Sequence, residues 1–373
     1  MWADDRTGAL EVGGACADAG LGPVSVFADG PVDSSVPLVV VDLATRHLAG
    51  QAAAGRTIAA LGRTTAGAHA LKIDSTLRGP WAASVLAAAG ALDARAVVVA
   101  ALPTAGRVCV GGVVYDEGRP VGEGAAGDDA RDPVGSSRPA EHLRAAGATA
   151  VAELDGAAAL AVWLADAAGR VAVCDASTDG DLDALGATWA AVDGVVLAST
   201  AAGVAAAAGR RVTTPRSPPP AVALVPPVLV VCGSLHAAAR RQIEVLARAG
   251  AVVVELAGNL DVAAAGLAAG RTVVLVTPTR AIRPVTDDAA RAMASAIAAA
   301  VAHLGIAPLG TLVVIGGDTA AAVLGDGPRL AGGMLAPGTP WSPADGGPLV
   351  VTRSGAFGDD DALVDLLATR MGP

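Results

Sequence analysis

Short, unbroken apolar runs recur along the chain, and each run ends at a polar or glycine-rich turn. Runs of four to six apolar residues without alternation are typical of strands that are buried on both faces, as in parallel sheets. We predict strands at residues 36–41, 96–101, 171–174, 195–198, 228–232, 252–256, 273–277 and 311–315. We predict helices at residues 44–68, 81–92, 237–249, 287–304 and 360–371. This alternation predicts an α/β fold with mostly parallel sheets.

A proline-rich stretch divides the chain into two parts. Residues 216–227 read RSPPPAVALVPP, with five prolines in twelve residues. Dense proline stiffens the backbone and removes hydrogen-bond donors, so this stretch is predicted to be a linker. The predicted domains are therefore 1–215 and 228–373, and a chain of 373 residues is long enough for two hydrophobic cores.

Composition excludes several classes of function. The net charge is −10 and aromatic residues make up 2% of the chain, which argues against nucleic-acid binding. Mean hydropathy is +0.53, but Gly, Pro or charged residues interrupt every long apolar stretch, so no membrane-spanning helix is predicted. The acidic start MWADDRTGA does not resemble a signal peptide. Four widely spaced cysteines predict free thiols in a cytoplasmic protein, without a zinc site.

The segment KIDSTLRG at 72–79 concentrates a cation, a carboxylate, two hydroxyls and a guanidinium in eight residues. Lys72 is the only lysine of the chain, whereas all its other basic residues except histidine are arginine. Lysine presents a compact charge and arginine a planar fork, so the two are not interchangeable in a site. The alternative interpretation is a charged loop in which Ser75 or Thr76 caps the following helix.

Polar clusters follow several predicted strands of the first half. They lie at residues 4–8, 72–79, 104–107 and 175–179. In open parallel sheets, ligands bind beyond the carboxyl ends of the strands. The combination of carboxylates, hydroxyls and guanidinia suits a small polyhydroxylated acid, whose carboxylate an arginine could bind with two hydrogen bonds. The alternative for each single Asp is a helix cap or a solvated turn.

The second half carries glycine-rich turns at 232–234, 315–319, 338–341 and 354–358. Glycine lets backbone amides approach a phosphate closely, and a helix N-terminus favours an anion. These turns predict a nucleotide site. The half contains neither a GxxxxGK[ST] motif nor a GxGxxG motif after a strand, and the second absence weighs against a nicotinamide-dependent dehydrogenase.

Nine motifs, in the same order along the chain, resemble those of one known family, the four-carbon acid sugar kinases. They are ADDRTGA at 3–9, KIDSTLRG at 72–79, PTAGRVCVGG at 103–112, ARDPV at 130–134, CDASTDGDL at 174–182, GSLH with Arg241 and Gln242 at 233–242, GGDTA at 316–320, APGTPW at 336–341 and SGAFG at 354–358. The resemblance implies that domain 1–215 binds a sugar acid (threonate, erythronate or 3-oxo-tetronate) and domain 228–373 binds ATP. It also implies an active site in a cleft between the domains and a 4-phosphate product.

The resemblance assigns site residues position by position. Those that would line the acid are Asp4, Asp5, Lys72, Asp74, Ser75 and Arg78. Those that would line the nucleotide are Ser234, Gly316, Gly317, Asp318, Thr319, Gly338, Ser354, Gly355 and Gly358. Arg78, alone or with Lys72, would bind the substrate carboxylate, and Asp74 or Asp5 would orient and deprotonate the terminal hydroxyl. Asp318 would place Mg²⁺, directly or through water.

Three positions depart from the family pattern. Family members usually begin with an apolar strand before the ADD motif, whereas only Met1 and Trp2 precede it here. We therefore expect the Asp4-Asp5 turn to lack a firm anchor. Arg6 stands where an apolar residue is more common, and Asp318 stands where many members have glutamate, which shortens its reach to a metal.

Two other functions fit the same residues. One is a kinase for another small sugar acid or a polyol, and the other is a weakly active sensor that binds a sugar acid and a nucleotide. The predicted partners are these small molecules, with no nucleic acid and no membrane. The Ala-rich helix faces could pair subunits in a homo-oligomer, or they could belong to the core.

Overall fold

The computed structural model describes residues 1–28, 36–63, 66–129, 131–166, 168–212, 222–278, 286–343 and 346–368. The chain divides into two compact units, Met1–Pro218 and Pro219–Pro373. Residues 216–221 of the predicted linker, Ala130 of the ARDPV motif and the end of the predicted helix 360–371 lie outside the described residues. Among the described residues, no helix combines the length and the apolar character that crossing a membrane requires.

The first unit is built on a parallel sheet. Its strands are β1 (Trp2–Ala3), β2 (Val24–Phe27), β3 (Leu38–Asp42), β4 (Ala70–Lys72), β5 (Arg95–Val99), β6 (Arg107–Val110), β7 (Val113–Asp116), β8 (Arg119–Pro120), β9 (Ala152–Leu154), β10 (Val171–Cys174) and β11 (Val195–Ser199). Its α-helices are α1 (Arg6–Asp18), α2 (Gly50–Leu61), α3 (Trp81–Ala91), α4 (Pro139–Ala145), α5 (Gly156–Ala165), α6 (Asp179–Ala190) and α7 (Ala201–Arg211). The order β2-β3-β1-β4-β11-β5-β10-β9 is parallel throughout, and β6, β7 and β8 form a small antiparallel sheet.

The second unit has a mostly parallel sheet of its own. Its strands are β12 (Val228–Cys232), β13 (Val252–Glu255), β14 (Thr272–Val276), β15 (Thr311–Ile315), β16 (Arg329–Leu330), β17 (Gly333–Ala336), β18 (Thr339–Ser342) and β19 (Leu349–Arg353). Its helices are α8 (Ala237–Arg248), α9 (Leu260–Ala268), α10 (Asp287–Leu304), α11 (Gly317–Leu324) and α12 (Ala362–Ala368). The order is β13-β14-β12-β15-β19-β18-β17, parallel as far as β19 and antiparallel beyond it.

The predicted fold class is confirmed, because the apolar runs form strands covered on both faces. Three predicted strands, β10, β12 and β15, have the bounds read from the sequence. The helix predicted at 44–68 is shorter than expected and begins at Gly50. The preceding residues form a loop instead, because the Asp42 carboxylate accepts a hydrogen bond from the Ala44 N–H at 2.8 Å.

The strand β1 has only two residues, yet it is anchored on both sides. Trp2 pairs with Val41 of β3 and with Leu71 of β4, and its side chain is 1% exposed. The expectation that the Asp4-Asp5 turn lacks a firm anchor is therefore wrong, since a central strand gains backbone hydrogen bonds from two neighbours.

Candidate active site

Three neighbouring strands of the first unit end beside one another and carry the predicted acid-binding residues. The strand β1 lies between β3 and β4, with Ala3 paired to Asp42 on one side and to Lys72 on the other. The Asp4-Asp5 turn therefore lies between the loop after β3 and the KIDSTLRG segment. The topology brings together residues that are about seventy positions apart in the chain, as the sequence predicted for strand ends.

Arg46, in the loop after β3, is the centre of this cluster and is 8% exposed. Its guanidinium binds both carboxylate oxygens of Asp4, and the Nη2–Oδ1 distance is 2.7 Å. It also lies 3.5 Å from Asp5 and 3.7 Å from Asp74. Burial alone would lower the pKa of Arg46, but Asp4, Asp5 and Asp74 together raise it well above its usual value. Arg46 is thus a permanent cation shared by three carboxylates.

Asp74 is held between two arginines. Arg78 donates to both of its oxygens, from Nε at 2.9 Å and from Nη2 at 3.2 Å, and Thr76 Oγ1 donates at 2.5 Å. Burial alone would raise the pKa of Asp74, but Arg78 and then Arg46 hold it well below its usual range. Arg78 also reaches Asp129, with Nη1 at 3.3 Å from Oδ2. Asp74 is therefore ionised and fixed in orientation.

Asp5 combines a structural contact with access to solvent. It is the N-cap of α1, accepting from the Gly8 N–H at 2.7 Å and from the Thr7 hydroxyl at 3.0 Å. Burial alone would raise the pKa of Asp5, but Arg46 and Lys72 hold it below its usual value. Its side chain is 17% exposed, compared with 10% for Asp74. The helix-cap alternative is thus correct for Asp5 and does not exclude a second contact.

Lys72, at the end of β4, faces a carboxylate that sequence reasoning had not selected. Its Nζ lies 3.1 Å from Glu11 Oε2 on α1, and both side chains are largely buried. Burial alone would lower the pKa of Lys72, but Glu11, Asp4, Asp5 and Asp74 raise it. The single lysine is therefore charged and placed among four carboxylates.

Ser75 points to a different neighbour. Its hydroxyl accepts from Arg107 Nη1 at 2.9 Å, and Arg107 in turn pairs with Asp116 at 3.1 Å. The alternative that Ser75 or Thr76 caps the next helix is wrong, because α3 begins at Trp81 after Pro80 and has no side-chain cap. The KIDSTLRG segment therefore contacts the small antiparallel sheet instead of capping α3.

Several charged residues of the cluster were missed in the sequence. They are Glu11, Arg46 and Asp129, and beside them a pair formed by His47 Nδ1 and Asp132 Oδ2. A usable signal was present for Arg46 and His47, since the polar triplet TRH follows a buried strand in the same way as the ADD motif does.

The polar turn after β10 has a structural role. Asp175 accepts from the N–H groups of Gly111 at 2.6 Å and Gly112 at 2.9 Å, which holds the β6–β7 turn. Thr178 and Asp181 form a capping box at the start of α6. For this turn, the cap and turn alternative accounts for the carboxylates that the structure describes.

Asp42 is the member of the region whose protonation should be visible near neutral pH. Burial raises its pKa to about 7, an effect that the Ala44 N–H and Arg6 at 3.8 Å do not outweigh. The folded state then holds a proton that the unfolded chain has lost above about pH 4. The stability that protonated Asp42 contributes is therefore lost as pH rises from about 4 to about 7. The loss is roughly 1.4 kcal/mol for each unit of difference between the folded and unfolded pKa.

We expect Asp42→Asn, which mimics the protonated form, to remove this pH dependence. The free energy of unfolding of the wild type should fall, relative to the variant, between about pH 5 and about pH 8. Chemical denaturation at both pH values measures the difference. Asp93→Asn is the control, because the Asp93 side chain is 90% exposed. Parallel pH dependences for wild type and Asp42→Asn would contradict the assignment.

In the second unit, three of the four predicted nucleotide turns lie at adjacent strand ends. The prediction of a turn at 338–341 is wrong beyond Gly338, because residues 339–341 belong to strand β18. The strands β12, β15 and β19 are neighbours, and the turns that follow them are joined by backbone hydrogen bonds. The Gly233 N–H donates to the backbone carbonyl oxygen of Ile315 at 3.2 Å, and the Gly316 N–H donates to the backbone carbonyl oxygen of Arg353 at 3.0 Å. The turns at 232–234, 315–319 and 354–358 therefore form one continuous edge.

The glycines of this edge pack closely against neighbouring side chains of the same unit. Gly316 has φ +111°, a conformation that side chains disfavour, and it precedes α11, which has no side-chain cap. A Cβ on Gly355 would collide with Ser234 Oγ, and a Cβ on Gly316 would lie 3.3 Å from Thr319 Oγ1. First-turn N–H groups of a helix without a side-chain cap suit the phosphates of a nucleotide.

Gly317, Asp318 and Thr319 form the first turn of α11, and they differ in exposure. Thr319 is 3% exposed, whereas the Asp318 side chain is exposed. Among the described residues, no group of three or more His, Cys, Asp or Glu could hold a metal ion. One exposed carboxylate is a donor of the kind that Mg²⁺ accepts, since proteins usually hold this ion with one or two carboxylates and with the phosphates of a bound nucleotide.

Two family models match the chain. One, described as a sugar-binding N-terminal domain, matches residues 1–208, and the other, described as a nucleotide-binding C-terminal domain, matches residues 229–363. The fold and these matches define a two-domain protein with a sugar-binding and a nucleotide-binding domain. More specifically, the chain belongs to the four-carbon acid sugar kinase family, as the motifs of the sequence had indicated.

Three curated relatives carry the name D-threonate kinase. The one from Cupriavidus necator is 33% identical over 210 residues, which cover 51% of this chain and 49% of that protein. The one from Bordetella bronchiseptica is 32% identical over 318 residues, 79% of this chain and 75% of that protein. The one from Salmonella typhimurium is 30% identical over an alignment of 415 residues, which covers 98% of this chain and 96% of that protein. The chain thus spans about half the length of the first relative and nearly all of the third.

Two solved structures share the fold. A crystal structure from Salmonella typhimurium LT2 matches with a TM-score of 0.73 and 21% identity, covering 97% of this chain and 96% of that one. A Haemophilus influenzae protein matches with a TM-score of 0.66 and 19% identity, covering 99% of both chains. At these identities the two matches bear on the fold alone.

Proposed function

We propose that the protein is an ATP-dependent kinase that phosphorylates the terminal hydroxyl of a four-carbon sugar acid and releases the 4-phosphate. The observation that carries the proposal is the buried cluster of three carboxylates around Arg46, joined to the KIDSTLRG segment. Threonate is the first candidate among threonate, erythronate and 3-oxo-tetronate, because three relatives carry the name D-threonate kinase.

In this proposal, Arg78 binds the substrate carboxylate. Its Nε and Nη2 donate to Asp74. Its Nη1 lies 3.3 Å from Asp129, and an incoming carboxylate would replace this contact. The side chains of Arg78 and Asp129 are 19% and 22% exposed, so this exchange would occur at the accessible side of the pair. Lys72 adds positive charge nearby, and Asp4 and Ser75 complete the proposed lining.

Asp5 is the proposed partner of the reacting hydroxyl, and Asp74 is the second candidate. The lowered pKa of both carboxylates makes them weak proton acceptors that are ionised at neutral pH. This suits phosphoryl transfer, whose loose transition state depends more on the orientation of the nucleophile than on early deprotonation. The greater exposure of Asp5 supports its direct contact with substrate.

The proposed nucleotide site comprises the turns of the second unit. Ser234, Gly316, Gly317 and Thr319 would contact the phosphates, together with Gly338 and the turn that contains Ser354, Gly355 and Gly358. Asp318 would hold Mg²⁺, which when bound neutralises charge on the transferred phosphoryl group. We also propose a cytoplasmic location, which the free, buried thiols of all four cysteines support.

The test is a coupled assay of ADP release over a panel of acids and polyols, with ATP and Mg²⁺. We expect turnover with at least one four-carbon sugar acid, and phosphorus NMR of the product should give the signal of a primary phosphate ester. Turnover confined to five- or six-carbon acids, or to polyols, would refute the substrate class. Binding of acid and nucleotide without turnover would indicate a sensor instead.

A further inference from the structure

One buried amide holds the end of a glycine-rich turn of the second unit. Gln242 lies on α8 and is 1% exposed. Its Nε2 donates to the carbonyl oxygens of Phe357, Gly358 and Asp359, at 2.9, 3.0 and 2.8 Å. A primary amide has two N–H groups, so three successive carbonyls share two donors.

A second buried donor reaches the same turn from another element. Arg353, the last residue of β19, is 3% exposed, and its Nη2 donates to the Phe357 carbonyl oxygen. Burial lowers the pKa of Arg353, since the guanidinium is removed from water. Burying a cation costs free energy unless hydrogen bonds compensate for the lost water. The hydrogen bond of Arg353 is made to the same carbonyl oxygen that accepts from Gln242.

The held turn, residues 354–358, which we call the SGAFG turn, packs against two other predicted nucleotide turns. Gly355 approaches Ser234 so closely that a Cβ would collide with its Oγ. The Phe357 ring packs against Gly338, where a Cβ would lie 2.7 Å from the ring. A shift of the SGAFG turn would therefore displace the surroundings of Ser234 and Gly338 at the same time.

We propose that Gln242, together with Arg353, is a positioning residue for the nucleotide, which it serves by fixing the SGAFG turn. The inference rests on the proposed nucleotide site. Gln242 acts through the backbone of the turn and makes no contact with the reacting atoms. Its loss weakens nucleotide binding selectively and leaves the acid site of the first unit intact.

The test compares Gln242→Leu with Gln51→Leu. Gln51 is the other glutamine of the chain and is exposed on α2, which makes it a matched control. For Gln242→Leu we expect the KM for ATP and the Kd of a fluorescent ATP analogue to rise together by about fivefold, the effect of losing one net buried hydrogen bond of typical strength. The KM for the acid should stay at the wild-type value. Gln242→Asn keeps a donor with a shorter reach and should give an intermediate effect.

Three results would overturn the inference. The first is a Kd of Gln242→Leu for the analogue equal to that of Gln51→Leu. The second is a KM of Gln242→Leu that rises equally for ATP and for the acid. The third is a Kd of Gln242→Asn as high as that of Gln242→Leu. If circular dichroism shows that Gln242→Leu does not fold, the test uses Gln242→Asn instead, and a Kd for the analogue equal to that of Gln51→Leu would then overturn the inference. If the wild type phosphorylates no acid, the proposed function fails, but the analogue affinities of the variants still test the role of Gln242.

Discussion

Replacing Asp74 by asparagine is expected to lower kcat for phosphorylation of the four-carbon acid by at least about a hundredfold, without raising the KM for that acid. Asparagine keeps the shape of the side chain but removes the negative charge that faces Arg78 and Arg46. The two guanidinia, less neutralised, should bind the anionic substrate at least as tightly. The carboxylate that is the second candidate, after Asp5, for orienting the reacting hydroxyl is lost, and that loss appears in kcat.

Steady-state kinetics with varied acid at saturating ATP measures this effect. Because Arg78 and Arg46 hold the pKa of Asp74 well below its usual range, Asp74 of the wild type stays ionised from about pH 5 to 9, and the ratio of the wild-type kcat to the variant kcat should be constant over that range. Asp93→Asn is the control, since Asp93 forms an exposed pair with Arg170. A kcat for Asp74→Asn within about twofold of the control would remove Asp74 from the mechanism.

Replacing Arg46 by methionine is expected to reduce the free energy of unfolding by about 3–5 kcal/mol near neutral pH. The change leaves Asp4, Asp5 and Asp74 in a largely buried place without the cation that they share. Arg170→Met, which breaks the exposed pair with Asp93, should cost less than about 1 kcal/mol. Chemical denaturation of the two variants and the wild type gives the comparison.

The pH dependence of this loss has a definite sign. In the wild type the folded-state pKa values of Asp5 and Asp74 are depressed, so their ionised forms contribute stability that is lost only as pH falls below about 4. Without Arg46 these pKa values rise, and protonation relieves the repulsion. The deficit of Arg46→Met should therefore shrink as pH falls from about 7 to about 5. A deficit that is constant over this range would show that packing, and not charge, accounts for it.

The fold was predictable because the sequence of a buried parallel strand is an unbroken run of apolar residues. The strands that the sequence did not reveal are short or interrupted. β4 has three residues and ends in Lys72, and β2 carries Ser25 in its middle. Such strands exist because their neighbours pair with them, which is tertiary information that a local pattern does not contain.

The candidate site was predictable in its location and less so in its contacts. Motifs placed Asp4, Asp5 and Asp74 at strand ends, and the topology brings these ends together. The role of Arg46 depends on a contact with Asp4 across 42 positions, which no periodicity encodes. Arg78 was expected to bind substrate, and that stays a prediction, but its fork is already shared with Asp74 four residues earlier.

The position of Lys72 has a practical consequence for chemical probing. It supplies the only side-chain amine of the chain, and it lies 7% exposed against Glu11 at the centre of the first sheet. Reagents that acylate lysine, and a protease that cuts only after lysine, should therefore leave the native backbone and its side chains untouched at this position. Cleavage by that protease would record one event, the opening of the region around β4, and so would serve as a single-site reporter of local unfolding.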